Sequence, residues 1–155
     1  LLESDAGAQF VGEVFRTFRK YYASAVAISQ TIDDFAKSKA ASAIMPNASV
    51  KWILKQPGAD FKRLAEVLRL NEREVAQVQS LTQVKGQFSE AFLICEDKKA
   101  VVSVESTPFE YWLATTDPKD FALLKSEQES TGREGLELIE HLAEKYPNGS
   151  QTNAA

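Results

Sequence analysis

The feature that most constrains the fold is a short apolar run, Ala25–Ile28, which a helical segment separates from the β-rich run Val50–Leu54. Continuous apolar runs of this length are typical of strands covered on both faces, as in a parallel sheet. A strand, a helix and a second strand form a crossover unit, which is nearly always right-handed and parallel. The sequence therefore predicts α/β architecture.

Helical and hairpin patterns surround this unit. The segment from Gly7 to Tyr22 has the spacing of an amphipathic helix, and Thr31 is placed to cap the helix that connects the two strands. Asn71-Glu72-Arg73-Glu74 has the pattern of a capping box. Phe88–Cys95 and 100–104 flank a polar turn and predict an antiparallel hairpin, and Phe109–Ala114 predicts a further extended piece.

The last part of the chain is predicted to be helical. Asp117-Pro118 is a strong helix start, and a final helix is expected to end at Pro147-Asn148-Gly149. We therefore expect three parts: the sheet-containing part at 1–116, a C-terminal helical extension at 117–147, and a disordered tail at 148–155.

Composition limits the function classes. The net charge is −4, with 18 basic and 22 acidic residues, so nothing indicates an electrostatic surface for DNA. Cys95 is the only cysteine and lies in an apolar run, which predicts a buried, inert thiol in a reducing cytoplasm. His141 is the only histidine, which excludes a multi-histidine metal site, and its position predicts a helix residue near a C-terminal dipole. No metal site is predicted.

Two groups of residues could carry chemistry. Ser29-Gln30 directly follows the predicted strand, and ligands of open α/β sheets gather at the carboxyl ends of strands. A glutamine there can orient a water or contact a γ-phosphate. Arg16, Arg19 and Lys20, called the basic row below, share one helix face by their spacing, and an arginine beside a phosphate can stabilise transition-state charge. The alternatives, a polar residue before an N-cap and a solvated helix face, stay open.

Several segments in order resemble the TraC-like ATPases of conjugative type IV secretion systems. Arg19-Lys20 matches the start of an R-[KR]-x-x-G segment, Ser29-Gln30 matches a strand ending in [ST]-Q, and Asp34-Phe35 matches the next helix start. The likeness continues through Asn47–Gln56 and through further segments, which are Gly86-Gln87-Phe88, Tyr111 and Ala114–Pro118. One departure is Tyr22-Ala23-Ser24, where that family usually places glycine.

The resemblance implies a partial RecA-like P-loop NTPase domain, with a parallel sheet and flanking helices, a small hairpin and C-terminal helices. It implies that Gln30 and Arg19 are catalytic and that Arg16, Lys20 and Ser29 contact the nucleotide. The sequence contains no G-x-x-x-x-G-K-[ST], so the expectation is a fragment without the P-loop, cut from a longer protein. ATP and Mg²⁺ are then cofactors of the longer protein, and neither cofactor binding nor activity is expected of the fragment itself.

The resemblance also implies a biological setting. The longer protein is expected to be a cytoplasmic homo-oligomer, peripheral to the inner membrane, that contacts secretion-system components and powers pilus assembly or substrate export. Direct binding of nucleic acid by this chain is not expected. Two other readings of the sequence stay open, which are a stand-alone helical interaction module and part of a RecA-like DNA-translocating motor.

Overall fold

The computed structural model describes residues 4–32, 37 and 39–150. The described chain is a mixed α/β structure with seven α-helices, a 3₁₀ helix at Phe18–Tyr21 and a four-stranded sheet. The helices are α1 Asp5–Thr17, α2 Ala41–Asn47, α3 Phe61–Leu68, α4 Glu72–Ser80, α5 Pro108–Ala114, α6 Pro118–Thr131 and α7 Gly135–Lys145. The strands are β1 Val50–Leu54, β2 Gln83–Val84, β3 Phe88–Cys95 and β4 Lys98–Glu105.

The sheet is antiparallel, so the predicted parallel sheet is wrong. β1 pairs antiparallel with the C-terminal half of β3, from Val50 opposite Cys95 to Leu54 opposite Ala91. β2 pairs antiparallel with the start of β3, and β4 forms with β3 the predicted hairpin. The β-rich run Val50–Leu54 was correctly predicted to be a strand, but its partner follows it in the chain and runs in the opposite direction.

The predicted strand Ala25–Ile28 is also wrong. These residues have no regular secondary structure, and Val26 and Ile28 are 83% and 91% exposed. A strand needs the backbone of a neighbour to satisfy its N–H and C=O groups. The described sheet consists of β1, β2, β3 and β4, and none of these strands pairs with Ala25–Ile28. Residues 33–36 and 38 of the helix predicted after Thr31 lie outside the described residues, and the last part of that helix is observed as α2.

The described residues group into two compact units. The first comprises the described residues up to Leu81 together with Ala91–Val102. In it, α3 and α4 pack on the sheet around a core of Ile53, Leu64, Val78, Leu81, Phe92 and Ile94. A second cluster, Ala8, Ala40 and Ile44, joins α1 to the start of α2. Cys95 ends β3 and is exposed, so the predicted buried thiol is wrong.

The second unit comprises Thr82–Glu90 and the described residues from Ser103 onward. Its core contains Trp112, Leu138 and Leu142, and the Trp112 indole N–H donates to the carbonyl oxygen of Tyr146 at 2.8 Å. The predicted extended piece Phe109–Ala114 is instead the helix α5. Thr107 and Glu110 form a capping box there, and Pro108 occupies the first turn. The predicted boundaries at 116 and 147 stay predictions.

Local capping signals explain where several other helices begin. The capping box predicted at Asn71 is present, with the Asn71 side chain accepting from the Glu74 N–H and the Glu74 carboxylate accepting from the Asn71 N–H. Asp117 caps α6 with Pro118 in the first turn, as predicted. Asp60 caps α3 by accepting from two backbone N–H groups. No helix in the described part of the chain is long and apolar enough to cross a membrane.

Two glycines with similar backbone angles give a test of the packing in the second unit. Gly86 has φ +71°, and a Cβ placed on it would lie 2.6 Å from the Cα of Asn148. Gly58 has φ +73° but no heavy atom within 4 Å of such a Cβ. Gly58→Ala should therefore cost only the left-handed strain, roughly 1 kcal/mol.

Gly86→Ala adds a backbone clash to the same strain, so we expect a loss of about 2–4 kcal/mol. Urea denaturation of both variants measures the difference. Equal losses for the two variants would contradict the close approach of Asn148 to Gly86.

Candidate functional site

The basic row lies at the end of α1 and is exposed. Arg16 belongs to the last turn of α1, and Arg19 and Lys20 lie in the 3₁₀ helix that continues it. All three side chains face solvent. Cations at a helix C-terminus are stabilised by the helix dipole, and their exposure leaves them accessible to an anionic ligand.

The turn after the basic row places Tyr22, one of the residues at the departure from glycine, in a conformation that glycine adopts more readily. Tyr22 adopts the left-handed conformation, with φ +54° and ψ +28°, and its N–H points back at the carbonyl oxygens of Phe18 and Arg19. This conformation favours glycine because a Cβ is sterically disfavoured there. The Tyr22 side chain is fully exposed, so the aromatic ring contributes no packing that would offset the strain.

Ser29 and Gln30 lie on the irregular segment that follows. The Ser29 hydroxyl accepts a hydrogen bond from the Thr31 N–H at 3.4 Å, and Gln30 is exposed. The strand that was predicted to position Gln30 is not formed, so the structure does not hold this side chain at the carboxyl end of a strand. The catalytic roles of Gln30 and Arg19 and the nucleotide contacts of Ser29 stay predictions.

A cleft of about 370 Å³ runs along one face of α1 in the first unit. Arg16 is one of its lining residues, and Arg19, Lys20, Ser29 and Gln30 are not. At the other end of the cleft, the Lys39 ammonium donates to Asp5 at 2.8 Å. The other lining residues are Ala8, Gln9, Gly12 and Ala40. Arg16 is thus the one predicted site residue that lines this cleft, and a second cation, Lys39, lines it as well.

The second unit contains a buried carboxylate that the sequence did not reveal. Asp120 is fully buried and accepts from the hydroxyls of Tyr111, Thr115 and Ser150, from the Ser150 N–H and from Lys85. Burial alone would raise the pKa of Asp120, but these hydrogen bonds outweigh it and hold the pKa well below its usual range. The carboxylate therefore stays charged and fixes four segments of the unit.

Lys85 connects this carboxylate to the surface. Its ammonium donates to Asp117 at 2.8 Å and to Asp120 at 3.2 Å. Burial would lower the pKa of Lys85, but the two carboxylates raise it above its usual range. The pKa of Tyr111 is also raised, by burial and by its bond to Asp120. We call Asp120, Lys85, Tyr111, Thr115 and Ser150 the Asp120 cluster.

The Asp120 cluster lies beside an open cleft of about 600 Å³ in the same unit. The segments that carry part of the resemblance, Gly86-Gln87-Phe88, Tyr111 and Thr115–Asp117, all contribute to its lining. Sequence reasoning missed this convergence because the donors come from separate segments. The one local signal, an acidic residue in the first turn of α6, is equally typical of helix-dipole stabilisation.

A second polar cluster joins α6 to α7. Glu127 is nearly buried and accepts from Lys145, Tyr146 and His141, and the hydrogen bonds from Lys145 and His141 lower its pKa to about 2. Arg133 contacts the other ring nitrogen of His141 at 3.0 Å. The histidine therefore has a structural role in holding two helices together. Among the described residues, no group of three or more histidine, cysteine or acidic side chains could hold a metal ion.

The comparison with protein families agrees with the resemblance at a coarser level. The model of the TraG P-loop domain matches residues 2–146, which is nearly the whole chain. The match places the chain among conjugation-related P-loop ATPases, a class that binds nucleotide, typically with Mg²⁺. The chain belongs to the TraG P-loop domain family.

The family match also corrects one expectation. Because the matched model describes a P-loop domain, the prediction of a fragment without the P-loop is not borne out, although the sequence contains no G-x-x-x-x-G-K-[ST]. The match suggests an NTPase fold, and the antiparallel sheet differs from the predicted parallel one. No curated protein and no solved structure matches the chain significantly.

Replacing the buried carboxylate tests the Asp120 cluster. Asp120→Asn keeps the shape but leaves the ammonium and hydroxyl donors with a neutral partner, so we expect a loss of about 2–4 kcal/mol. Asp117→Asn is the matched control, since it also contacts Lys85 and asparagine caps a helix as well as aspartate does. It should cost clearly less than Asp120→Asn, because the ion pair of Asp117 is screened by solvent.

The pH dependence gives a second readout. The lowered pKa of Asp120 means that its contribution is present above the unfolded-state pKa of about 3.9 and is lost as the pH falls through the folded-state pKa. Chemical denaturation at a series of pH values measures the free energy of unfolding. As the pH falls, this free energy should decrease less steeply in Asp120→Asn than in the unmodified chain. Similar losses in the two variants at neutral pH would show that Asp120 is not the centre of the cluster.

Proposed function

We propose that this chain works in the TraC-like ATPase of a conjugative type IV secretion system, where ATP hydrolysis drives pilus assembly or substrate export. Membership of the TraG P-loop domain family supports a conjugation ATPase. The ordered resemblance, from Arg19-Lys20 to Ala114–Pro118, supports the TraC-like kind. On this proposal the motor is a cytoplasmic homo-oligomer beside the inner membrane, and its partners are other components of the secretion system.

The observation that carries the proposal is the exposed basic row next to Ser29-Gln30 in sequence. Guanidinium groups present planar donors that match phosphate oxygens, so Arg16 and Arg19 fit the phosphates of ATP, with Lys20 as a further point charge. Bound ATP with Mg²⁺ supplies the phosphoryl group whose transfer to water releases free energy. This chain contributes cations for the phosphates and, at Gln30, an amide that can orient a water.

Because Arg19 is exposed, we propose that it acts on a nucleotide held by a neighbouring subunit. Arg19→Ala in the motor protein that contains this chain should abolish most ATPase activity, since removing an arginine that acts in this way typically costs 10³–10⁵ in turnover. Arg73→Ala removes an exposed arginine of α4 and serves as the control.

Mixing experiments then separate action within a subunit from action across the interface. Arg19→Ala protein mixed with a variant that cannot bind ATP should regain partial ATPase activity, because some interfaces combine an intact nucleotide site with an intact Arg19. If mixed oligomers form and activity does not return, the arginine acts within its own subunit.

Gln30→Ala tests the second predicted catalytic residue. The side chain is exposed and bears no core packing, so we expect unchanged thermal stability. Turnover should fall, since loss of one well-placed polar contact in the transition state costs ~2–4 kcal/mol. Steady-state kinetics and thermal melts are compared with Gln79→Ala, which removes an exposed glutamine of α4. Unchanged turnover would leave Gln30 as an ordinary surface residue.

A further inference from the structure

The cleft along α1 combines features that the predicted role of Arg16 does not explain. Its α1 residues are Asp5, Ala8, Gln9, Gly12 and Arg16, which recur at the three- and four-residue spacing of one helix face. Asp5 and Arg16 are eleven residues apart, or roughly 16 Å along the helix axis. The small lining residues Ala8, Gly12 and Ala40 are buried, whereas Asp5, Gln9 and Arg16 are exposed.

The charges of the cleft are arranged at its two ends. Arg16 lines the cleft at one end, in the last turn of α1. Lys39 lies at the other end, where its ammonium contacts Asp5 at 2.8 Å. Both members of that ion pair are largely exposed, with side-chain exposures of 75% and 82%, so the pair is weak and easily exchanged for another anion.

We propose that this cleft binds an extended polyphosphate. Lys39 contacts the phosphates in addition to Arg16. Asp5 is a competing anion that pairs with Lys39 when no ligand is bound. The inference rests on the proposed function, because Arg16 is one of the residues that the proposed function assigns to the phosphates of ATP. Arg16 and Lys39 line opposite ends of the cleft, so a ligand that carries several phosphate groups in a chain can contact both cations.

The probe is inorganic tripolyphosphate, titrated calorimetrically into the 155-residue chain at low ionic strength, where exposed charges are least screened. Arg16→Met and Lys39→Met should each weaken binding at least about threefold relative to Lys62→Met, an exposed lysine of α3. Asp5→Asn should strengthen binding by about threefold, since it removes the competing anion. That gain should disappear in the double variant with Lys39→Met.

Glu13→Gln is the matched control for net charge. Glu13 is an exposed acid of α1 that does not line the cleft, so its replacement changes the total charge as Asp5→Asn does. The proposal is overturned if Glu13→Gln strengthens binding as much as Asp5→Asn, if the gain survives in the double variant, or if tripolyphosphate does not bind the unmodified chain.

The outcome is separable from that of the proposed function. If Arg19→Ala leaves the motor's ATPase activity intact while Lys39→Met still weakens tripolyphosphate binding, the catalytic role of Arg19 is wrong. The proposal that the cleft binds phosphates is then still supported. If Arg19→Ala abolishes activity and Lys39→Met binds tripolyphosphate as Lys62→Met does, only the proposal of an anion-binding cleft fails.

Discussion

The sheet depends on the backbone of a single strand, β3. Three strands form hydrogen bonds with it: β1 along its C-terminal half, β2 at its start, and β4 through the hairpin turn. Ala91 and Phe92 in the middle of β3 are fully buried, as expected where a strand has neighbours on both sides and a helical layer above. Without β3, neither β1 nor β4 has a partner within the described sheet, and the core around Phe92 loses its centre.

The dependence on β3 explains which parts of the fold were predictable from the sequence. Helix starts are set by residues three or four apart, so the capping box at Asn71 and the Asp117-Pro118 start were correctly predicted. The hairpin of β3 and β4 is also a local feature. Strand direction depends on which distant segment supplies the partner, and nothing in Val50–Leu54 shows that its partner follows it and runs antiparallel.

Other errors have different physical origins. The signal for α5 was present in Thr107-Pro108-Phe109-Glu110, but the aromatic content of the following residues favoured an extended interpretation. The apolar run Ala25–Ile28 met the composition rule for a buried strand, yet composition carries no information on whether a neighbouring backbone is available. Cys95 followed the apolar run of β3 but lies at its exposed end.

The candidate site was predictable only in part. The spacing of Arg16, Arg19 and Lys20 predicted one helix face, whereas Arg16 lies in α1 and the other two lie in the 3₁₀ helix that follows. Arg16 and Lys39 line one cleft although they are 23 residues apart, and no local spacing shows this. The Asp120 cluster joins residues from Lys85 to Ser150, so no short motif contains it.

The positions of the two tryptophans have a practical consequence for studying these parts. Trp52 is 55% exposed in the first unit and Trp112 is 2% exposed in the second, so a soluble quencher will suppress the emission of Trp52 first. The remaining blue-shifted fluorescence then reports on the second unit alone, and each unit carries its own intrinsic optical probe without any label.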